Sequence, residues 1–134
     1  MFNRLWSARP LLPDLGLLVI RLSLAVFMLP HGLPKLLYYT ERMDKFSDPF
    51  GIGSPASLAL AIFAEFFCSI LLGLGLLTRF ALVPLIITMA TAAFIVHAGD
   101  PFGDREKALL YLLGYLGLFF TGPGKISVDG LLKR

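Results

Sequence analysis

"RLSLAVFMLPHGLPKLLYY", residues 21–39, is apolar enough to cross a bilayer, yet it contains three basic residues and two prolines. A charged residue near the centre of a membrane helix costs about 2.5–3.5 kcal/mol, so it normally faces the protein interior and finds a partner. A proline removes a backbone hydrogen bond, which is tolerated at membrane depth where the backbone packs in protein or lines a cavity. The stretch therefore predicts a kinked spanning helix with a polar inner face. The residues concerned are Arg21, Pro30, His31, Pro34 and Lys35.

The whole chain shares this apolar character. Its 134 residues are 57% hydrophobic and 16% charged, against about 45–50% and about 25% in typical soluble domains. One domain of this length cannot bury so much apolar surface, so the excess is expected to face lipid. The net charge of +3 is small, and the basic residues lie at segment ends, which argues against a nucleic-acid partner.

Four apolar stretches predict a single transmembrane domain over residues 1–134, an all-α integral membrane four-helix bundle. At about 1.5 Å per residue, the first two stretches span a hydrocarbon core of about 30 Å comfortably and the third is just long enough. The fourth must borrow polar residues from its start or tilt. The predicted spans are 15–39, 56–78, 80–97 and 106–122, with polar loops at 40–55 and 98–105 and a short tail at 123–134.

Lysine and arginine counts give the expected orientation. With four spans, both termini and the link between the second and third spans share one side of the membrane. That side holds six basic residues against five on the other. We therefore expect both termini to be cytoplasmic, and we interpret Arg79, in the link, as a topology determinant.

Glu65 lies deep in the second predicted span. Helical rise places Glu65 about 14 Å and His31 about 12 Å from the same membrane surface, whereas Arg21 lies about 9 Å from the opposite one. His31 is thus expected to be the nearest partner of Glu65, with Arg21 a deeper member of the same group. At about 100° per residue, Arg21, His31 and Lys35 fall within an arc of about 80° on the first helix.

Glu65, Ser69 and Gly73 recur every fourth residue, which gives the second span a polar and small face for close helix approach. His97 and Glu106 flank the third loop and add to the polar groups on the side of His31. Each of these residues also has a purely structural interpretation, such as snorkelling or locking two helices. Their spacing matches no recognised ligand motif, so no metal site is predicted. The predicted polar cluster consists of Arg21, His31, Lys35, Glu65, His97 and Glu106.

Three motifs support a family resemblance. They are Arg and His-Gly-x-x-Lys within residues 21–39, Glu then Leu-Gly-Leu-x-Thr-Arg within 64–81, and Gly-Pro-Gly-x-x-Ser-x-Asp within 106–132. Together they resemble the DoxX family of small four-span membrane proteins. The resemblance implies a helical bundle in the bacterial inner membrane. It also implies a redox association, because some relatives are described as subunits of a quinone-reducing thiosulfate oxidoreductase or a terminal quinol oxidase complex.

Three functions remain open at this stage. The first is a quinone- or lipid-binding subunit of a membrane redox complex, in which head-group carbonyls accept from His31 or Lys35 and Glu65 passes protons. Cys68 is the single cysteine and no haem pair or flavin loop is present, so electrons would come from a partner subunit or a diffusible carrier. The others are a non-enzymatic scaffold or assembly factor, and a transporter of a small solute or proton. Expected partners are membrane lipids, and a redox subunit or a second copy of the chain.

Overall fold

A computed structural model describes residues 5–132 of the chain. Over that range the secondary structure is helical, without a strand, which confirms the all-α prediction. The helices are α1 (Pro13–Leu37), α2 (Ser54–Leu74), α3 (Thr78–Val96), α4 (Phe102–Thr121) and α5 (Val128–Leu132), and a single helical turn, Tyr39–Arg42, lies between α1 and α2.

The observed helix ends lie close to the predicted ones, and the differences have local causes. α2 begins at Ser54, directly after Gly53, whose φ of 103° is a conformation that favours glycine. α4 begins at Phe102 after Pro101, so the loop predicted at 98–105 is shorter than expected. The charged residues that follow Pro101 therefore lie on the first turns of a helix rather than in a loop.

Among the described residues, α1, α2 and α3 are long and apolar enough to cross a membrane. α4 has 20 residues and is long enough, but its first turns carry too many charged residues for it to count as apolar enough to cross. All four long helices nevertheless expose large apolar side chains on their outer surfaces, as lipid contact requires. Examples are Phe27, Phe63, Phe80, Phe94, Leu113 and Phe120.

The long helices pack in chain order around one core, and α4 closes the arrangement by packing against both α3 and α1. The core between them contains buried Met28, Leu72, Leu85 and Tyr115. This topology creates two ends with different contents. The tail end holds the start of α1, the turn at 75–77 and residues 122–132, and the loop end holds residues 38–53 and 97–101.

The helix α1 continues through Pro30 and Pro34. The two prolines therefore do not end the helix, and the kink predicted there stays a prediction. The sequence feature that matters here is Gly32, which lies directly against the backbone of α2. A methyl group at Gly32 would lie 2.7 Å from the carbonyl carbon of Glu65 and 2.8 Å from the amide nitrogen of Phe66. Only glycine permits this close approach of the two helices.

Two stretches of the long helices adopt π-helical geometry: Phe63–Cys68 in α2 and Ala92–Val96 in α3. A π segment changes the helical register locally, and such segments are frequent at functional sites. The first contains Glu65, and the second ends next to His97. Neither is visible in the apolar pattern of the sequence, which reads the same for α and π turns.

Candidate functional site

The loop end contains a partly buried ion pair between α1 and α2. Lys35 Nζ lies 2.6 Å from Glu65 Oε1, and the two side chains are 21% and 5% exposed. Lys35 Nζ also donates to the carbonyl oxygen of His31 at 3.2 Å. The expectation that His31 would be the nearest partner of Glu65 was therefore wrong. Lys35, one turn closer to the helix end, reaches inward along α1 and takes that position.

Gly32 explains why the ion pair forms. Because α1 and α2 touch backbone to backbone at Gly32 and Glu65, the two helices are too close for a large side chain between them. The long Lys35 side chain, one turn beyond Gly32, can then bridge to Glu65 in the π segment. A charged pair removed from water is costly to break, since removal of either partner leaves the other charge buried.

The Lys35–Glu65 pair forms part of the wall of a cavity of about 410 Å³. Its walls come from α1, α2, α3 and α4, and residues of the 38–53 loop cover it. Most of the wall is apolar, and a few polar groups converge on it, which is the usual composition of a ligand site. The polar and charged wall residues that matter below are His31, Lys35, Glu65, His97, Asp104, Lys107 and Tyr111.

His31 contributes to the cavity as an aromatic neighbour of α4. Its ring meets the ring of Tyr111 edge to face, with centroids 6.1 Å apart and an interplanar angle of 84°. Tyr111 in turn lies against Tyr115, one turn deeper on α4, with centroids 6.0 Å apart and planes inclined by 26°. The cavity wall at this point is a row of rings that leads from the open cavity into the core.

The two predicted residues at the third loop have different positions. His97 lines the cavity and its Nδ1 lies 2.8 Å from Asp100 Oδ2, in a solvent-exposed pair. Glu106 is exposed on α4 and is absent from the cavity wall, contrary to its predicted place in the cluster. Asp104 and Lys107 of the same helix are also exposed, but they line the cavity. The prediction began the fourth span at residue 106, so Asp104 lay in the predicted loop at 98–105.

The 38–53 loop is held over the cavity by Asp48. Its carboxylate accepts from the amides of Ile52 and Gly53 at 3.0 and 2.9 Å, and from the Ser57 hydroxyl at 2.9 Å. Desolvation acts to raise the pKa of Asp48, but hydrogen bonds from Ser57 and from nearby backbone amides outweigh it and hold the pKa below its ordinary value. These bonds fix the apolar loop residues that cover the cavity, of which Phe50 is one.

Arg21 does not join this cluster and lies instead at the tail end, 1% exposed. Its Nη1 donates to the carbonyl oxygens of Leu72 and Gly73 at 3.1 and 2.6 Å, and its Nη2 donates to that of Ile126 at 2.5 Å. The first two are carbonyls at the end of α2, and that of Leu72 also accepts from the amide of Gly75 at 3.0 Å. Arg21 thus joins α1, the end of α2 and the C-terminal tail.

The closing motif of the sequence completes this junction. Asp129 accepts from the amides of Leu77 and Thr78 and from the Thr78 hydroxyl, at 2.8 to 2.9 Å, and so caps the start of α3. Its own amide donates to the carbonyl oxygen of Gly75 at 2.8 Å. Gly75 has a φ of 69°, and a methyl group there would collide with Arg21 and Ser127.

Two further predicted residues have structural contacts. Gly73 packs on α1, where a methyl group would lie 3.3 Å from Ala25 Cβ. Arg79 is exposed and its Nε donates to the carbonyl oxygen of Phe119 at 2.9 Å, which joins the start of α3 to the end of α4. Among residues 5–132, no group of three or more His, Cys, Asp or Glu side chains is placed to hold a metal ion.

Several cavity residues have no signal in the sequence. Nothing in the fourth span indicates that Tyr111 lines a cavity, because the His31 ring that it meets comes from α1. The loop residues were interpreted as exposed linker. In a helix that begins at Phe102, the side chains of Asp104, Lys107 and Tyr111 lie on one side, since they are three and four residues apart.

The fold and the site define an all-helical integral membrane protein with a buried ion pair beside a covered cavity. Sequence comparison agrees, since the sequence model of the DoxX family matches residues 16–98. The chain belongs to the DoxX family. An uncharacterized protein of Haemophilus influenzae is 31% identical over 89% of this chain and 84% of its own length. An uncharacterized membrane protein of Mycobacterium tuberculosis is 31% identical over 89% and 82%.

The inner membrane protein YqjF of Escherichia coli is 30% identical over 92% of this chain and 96% of its own length. No solved structure matches the chain. The apolar helices and the relatives from E. coli indicate the bacterial inner membrane as the location of this protein.

Proposed function

We propose that this protein is a four-span inner-membrane subunit whose cavity binds a quinone or a lipid-like molecule with a similar polar head, on behalf of a membrane redox complex. The observation that carries the proposal is the apolar cavity of about 410 Å³ with the buried Lys35–Glu65 pair in its wall. Cavities of about 300–1,000 Å³ with apolar walls and a few converging polar groups are typical ligand sites.

The polar groups suit a head that carries carbonyl or hydroxyl oxygens. Lys35 has three N–H donors and uses two, on Glu65 and on the His31 carbonyl, so one donor is left for a ligand oxygen. Glu65 uses Oε1 for Lys35, which leaves acceptor capacity for a ligand hydroxyl. The Tyr111 ring offers a face for an aromatic head.

We further propose that α4 crosses the membrane as the fourth span. It packs between α3 and α1, and its outer surface carries exposed Leu110, Leu113 and Phe120. These side chains need lipid contact as much as those of the other three helices. Four spans bring the two termini to the same side.

The distribution of basic residues favours a cytoplasmic tail end. Lys35 is neutralised inside the cavity by Glu65, so it contributes little to the loop end. The loop end then carries four basic residues, and the termini with the 75–79 link carry six. Because the more basic side is normally cytoplasmic, the cavity would face the periplasmic half of the membrane.

The test is titration of a short-chain ubiquinone into the purified protein and its variants. We expect Glu65→Gln and Lys35→Met each to weaken binding about tenfold or more, equivalent to about 1.4 kcal/mol. The matched controls are Glu106→Gln and Lys45→Met, which make the same changes at exposed positions outside the cavity wall. Both controls should bind like the wild type.

Two results would contradict the proposal. One is that the Glu65→Gln and Lys35→Met variants both bind the probe as tightly as the wild type. The other is no quinone or lipid in the purified protein and no saturable binding of the probe. A membrane protein that copurifies equally with the wild type and with Glu65→Gln, in the absence of any ligand, would instead support the scaffold function.

A further inference from the structure

Two buried hydroxyl groups lie below the cavity without a hydrogen-bond partner among residues 5–132. They are Tyr115 Oη on α4 and Ser69 Oγ on α2, and both residues are completely buried. A buried hydroxyl without a partner costs about 1–3 kcal/mol, so most buried hydroxyls in proteins are satisfied. Two such groups in one small membrane protein therefore call for an explanation.

Their positions are related to the cavity in the same way. Glu65 and Tyr111 line the cavity, and Ser69 and Tyr115 each follow four residues later. Both α2 and α4 run from the loop end to the tail end. Four residues correspond to about one helical turn, so the backbones of Ser69 and Tyr115 lie about one turn deeper than the cavity-lining residues.

Tyr115 also has a direct relation to the polar groups above it. Its ring packs against that of Tyr111, which separates it from the open cavity by a single ring. Tyr115 therefore lies directly behind a ring that lines the cavity together with Glu65.

We propose that Tyr115 and Ser69 form an inner polar subsite of the cavity, which holds a neutral oxygen that accepts a hydrogen bond from Tyr115 and can donate one to Glu65. A water molecule and a ligand hydroxyl share this chemistry. The ligand alternative rests on the proposed function, whereas the water alternative does not. Tyr115 then positions the bound oxygen against Glu65.

The test compares Tyr115→Phe with the wild type in thermal unfolding and in binding of short-chain ubiquinol, the reduced form that carries hydroxyls. The change removes only the hydroxyl and keeps the buried ring. Tyr38→Phe makes the same change at a half-exposed residue of the loop end and serves as the matched control. It should leave both measurements unchanged.

If a water occupies the subsite, Tyr115→Phe lowers Tm by about 4 °C without any probe, since a satisfied hydroxyl is lost. If a ligand hydroxyl occupies it, the probe-free Tm stays the same or rises, and ubiquinol binds about tenfold more weakly. For either occupant, Ser69→Ala should change the same quantity, the probe-free Tm or the ubiquinol affinity, in the same direction as Tyr115→Phe. If Tyr115→Phe fails to fold, the Ser69→Ala result decides between water and a ligand hydroxyl.

If Tyr115→Phe leaves Tm unchanged or raised and leaves the ubiquinol affinity unchanged, the subsite is overturned. The Tyr115 hydroxyl would then bind nothing, and removal of an unsatisfied buried hydroxyl does not destabilise the protein. That result leaves the proposed function intact if the wild type binds the probe. Conversely, if the wild type binds no probe, the proposed function fails and the Tm alone decides the subsite. A lower Tm then supports the subsite, and an unchanged or raised Tm rejects it.

Discussion

Helix α1 carries an inward-reaching cation towards each end of the protein, fully buried in Arg21 and partly buried in Lys35, and the two cations have different surroundings. Arg21 at the tail end donates to three backbone carbonyls from α2 and the tail. Lys35 at the loop end donates to one carboxylate and one carbonyl and borders a cavity. The same basic face of one helix therefore serves as a structural junction at one end and as a candidate site at the other.

The difference lies in how completely the charged group is surrounded. At the tail end the neighbours of Arg21 are backbone carbonyls at the end of α2 and in the tail, where helix geometry leaves few backbone donors. At the loop end the neighbours of Lys35 and Glu65 are an open cavity and, one turn deeper, two hydroxyls without partners in the described chain. A buried charge therefore indicates a functional site only where the groups around it still have hydrogen-bond donors or acceptors that the protein does not use.

The largest expected effect comes from Arg21→Met. It removes the Arg21 donor from the carbonyls of Leu72, Gly73 and Ile126, and with it one of the links between α1 and the tail. We expect a loss of about 3–5 kcal/mol in the free energy of unfolding, because all three acceptors are buried or partly buried. Chemical unfolding of the purified protein in detergent measures it.

The matched control is Arg9→Met, at an exposed position. Whatever fraction of Arg21→Met remains folded should bind the quinone probe with wild-type affinity. Equal stability of Arg21→Met and the wild type would show that Arg21 does not stabilise the tail end. The proposed difference between a structural Arg21 and a ligand-site Lys35 would then be wrong.

The second effect concerns the ion pair itself, measured by a double-mutant cycle with Lys35→Met and Glu65→Gln. Each single change should cost about 2 kcal/mol in the free energy of unfolding, which is less than for a fully buried pair because Lys35 is partly screened by water. The double variant should recover at least about 1 kcal/mol relative to the sum of the two.

Probe binding provides the discriminating readout of this cycle. All three variants should bind poorly, although the double variant regains stability. A double variant that regained both stability and binding would mean that the pair only locks α1 to α2, as Arg21 locks the tail end.

The third effect tests the backbone contact that sets up the site. Gly32→Ala places a methyl group against the backbone of Glu65 and Phe66, so α1 must move away from α2. We expect a loss of about 1–3 kcal/mol in the free energy of unfolding, and weaker probe binding, because Lys35 and Glu65 move apart. Gly16→Ala is the matched control, since a methyl group there meets no atom within 4 Å. Equal behaviour of the two variants would show that α1 and α2 have room to spare.

The sequence supported the helical class, the approximate bounds of the long helices and the membrane location, because these depend on apolar composition and length. It did not identify the partner of Glu65. Equal depths pointed to His31, but depth along a helix does not account for a long side chain that reaches back into the protein, as Lys35 does. It also grouped Arg21 with Glu65, because Arg21 shares a helical face with His31 and Lys35, although a tail residue that binds Arg21 comes from the far end of the chain.

The smallest effect concerns the loop cover and depends on pH. The pKa of Asp48 is held below its ordinary value of 3.8, so the hydrogen bonds of its carboxylate stabilise the loop at neutral pH. A group with a lowered pKa in the folded state contributes stability above its ordinary pKa and loses that contribution as pH falls through the lowered value. Hydrogen exchange at the amides of Ile52 and Gly53 should therefore accelerate below about pH 4, beyond the normal pH dependence of exchange.

Asp48→Asn should remove this extra acceleration of exchange, whereas Asp44→Asn, at an exposed position of the same loop, should retain it. If Asp48→Asn kept the extra acceleration, another group would hold the loop, and the cover of the cavity would be independent of the Asp48 carboxylate.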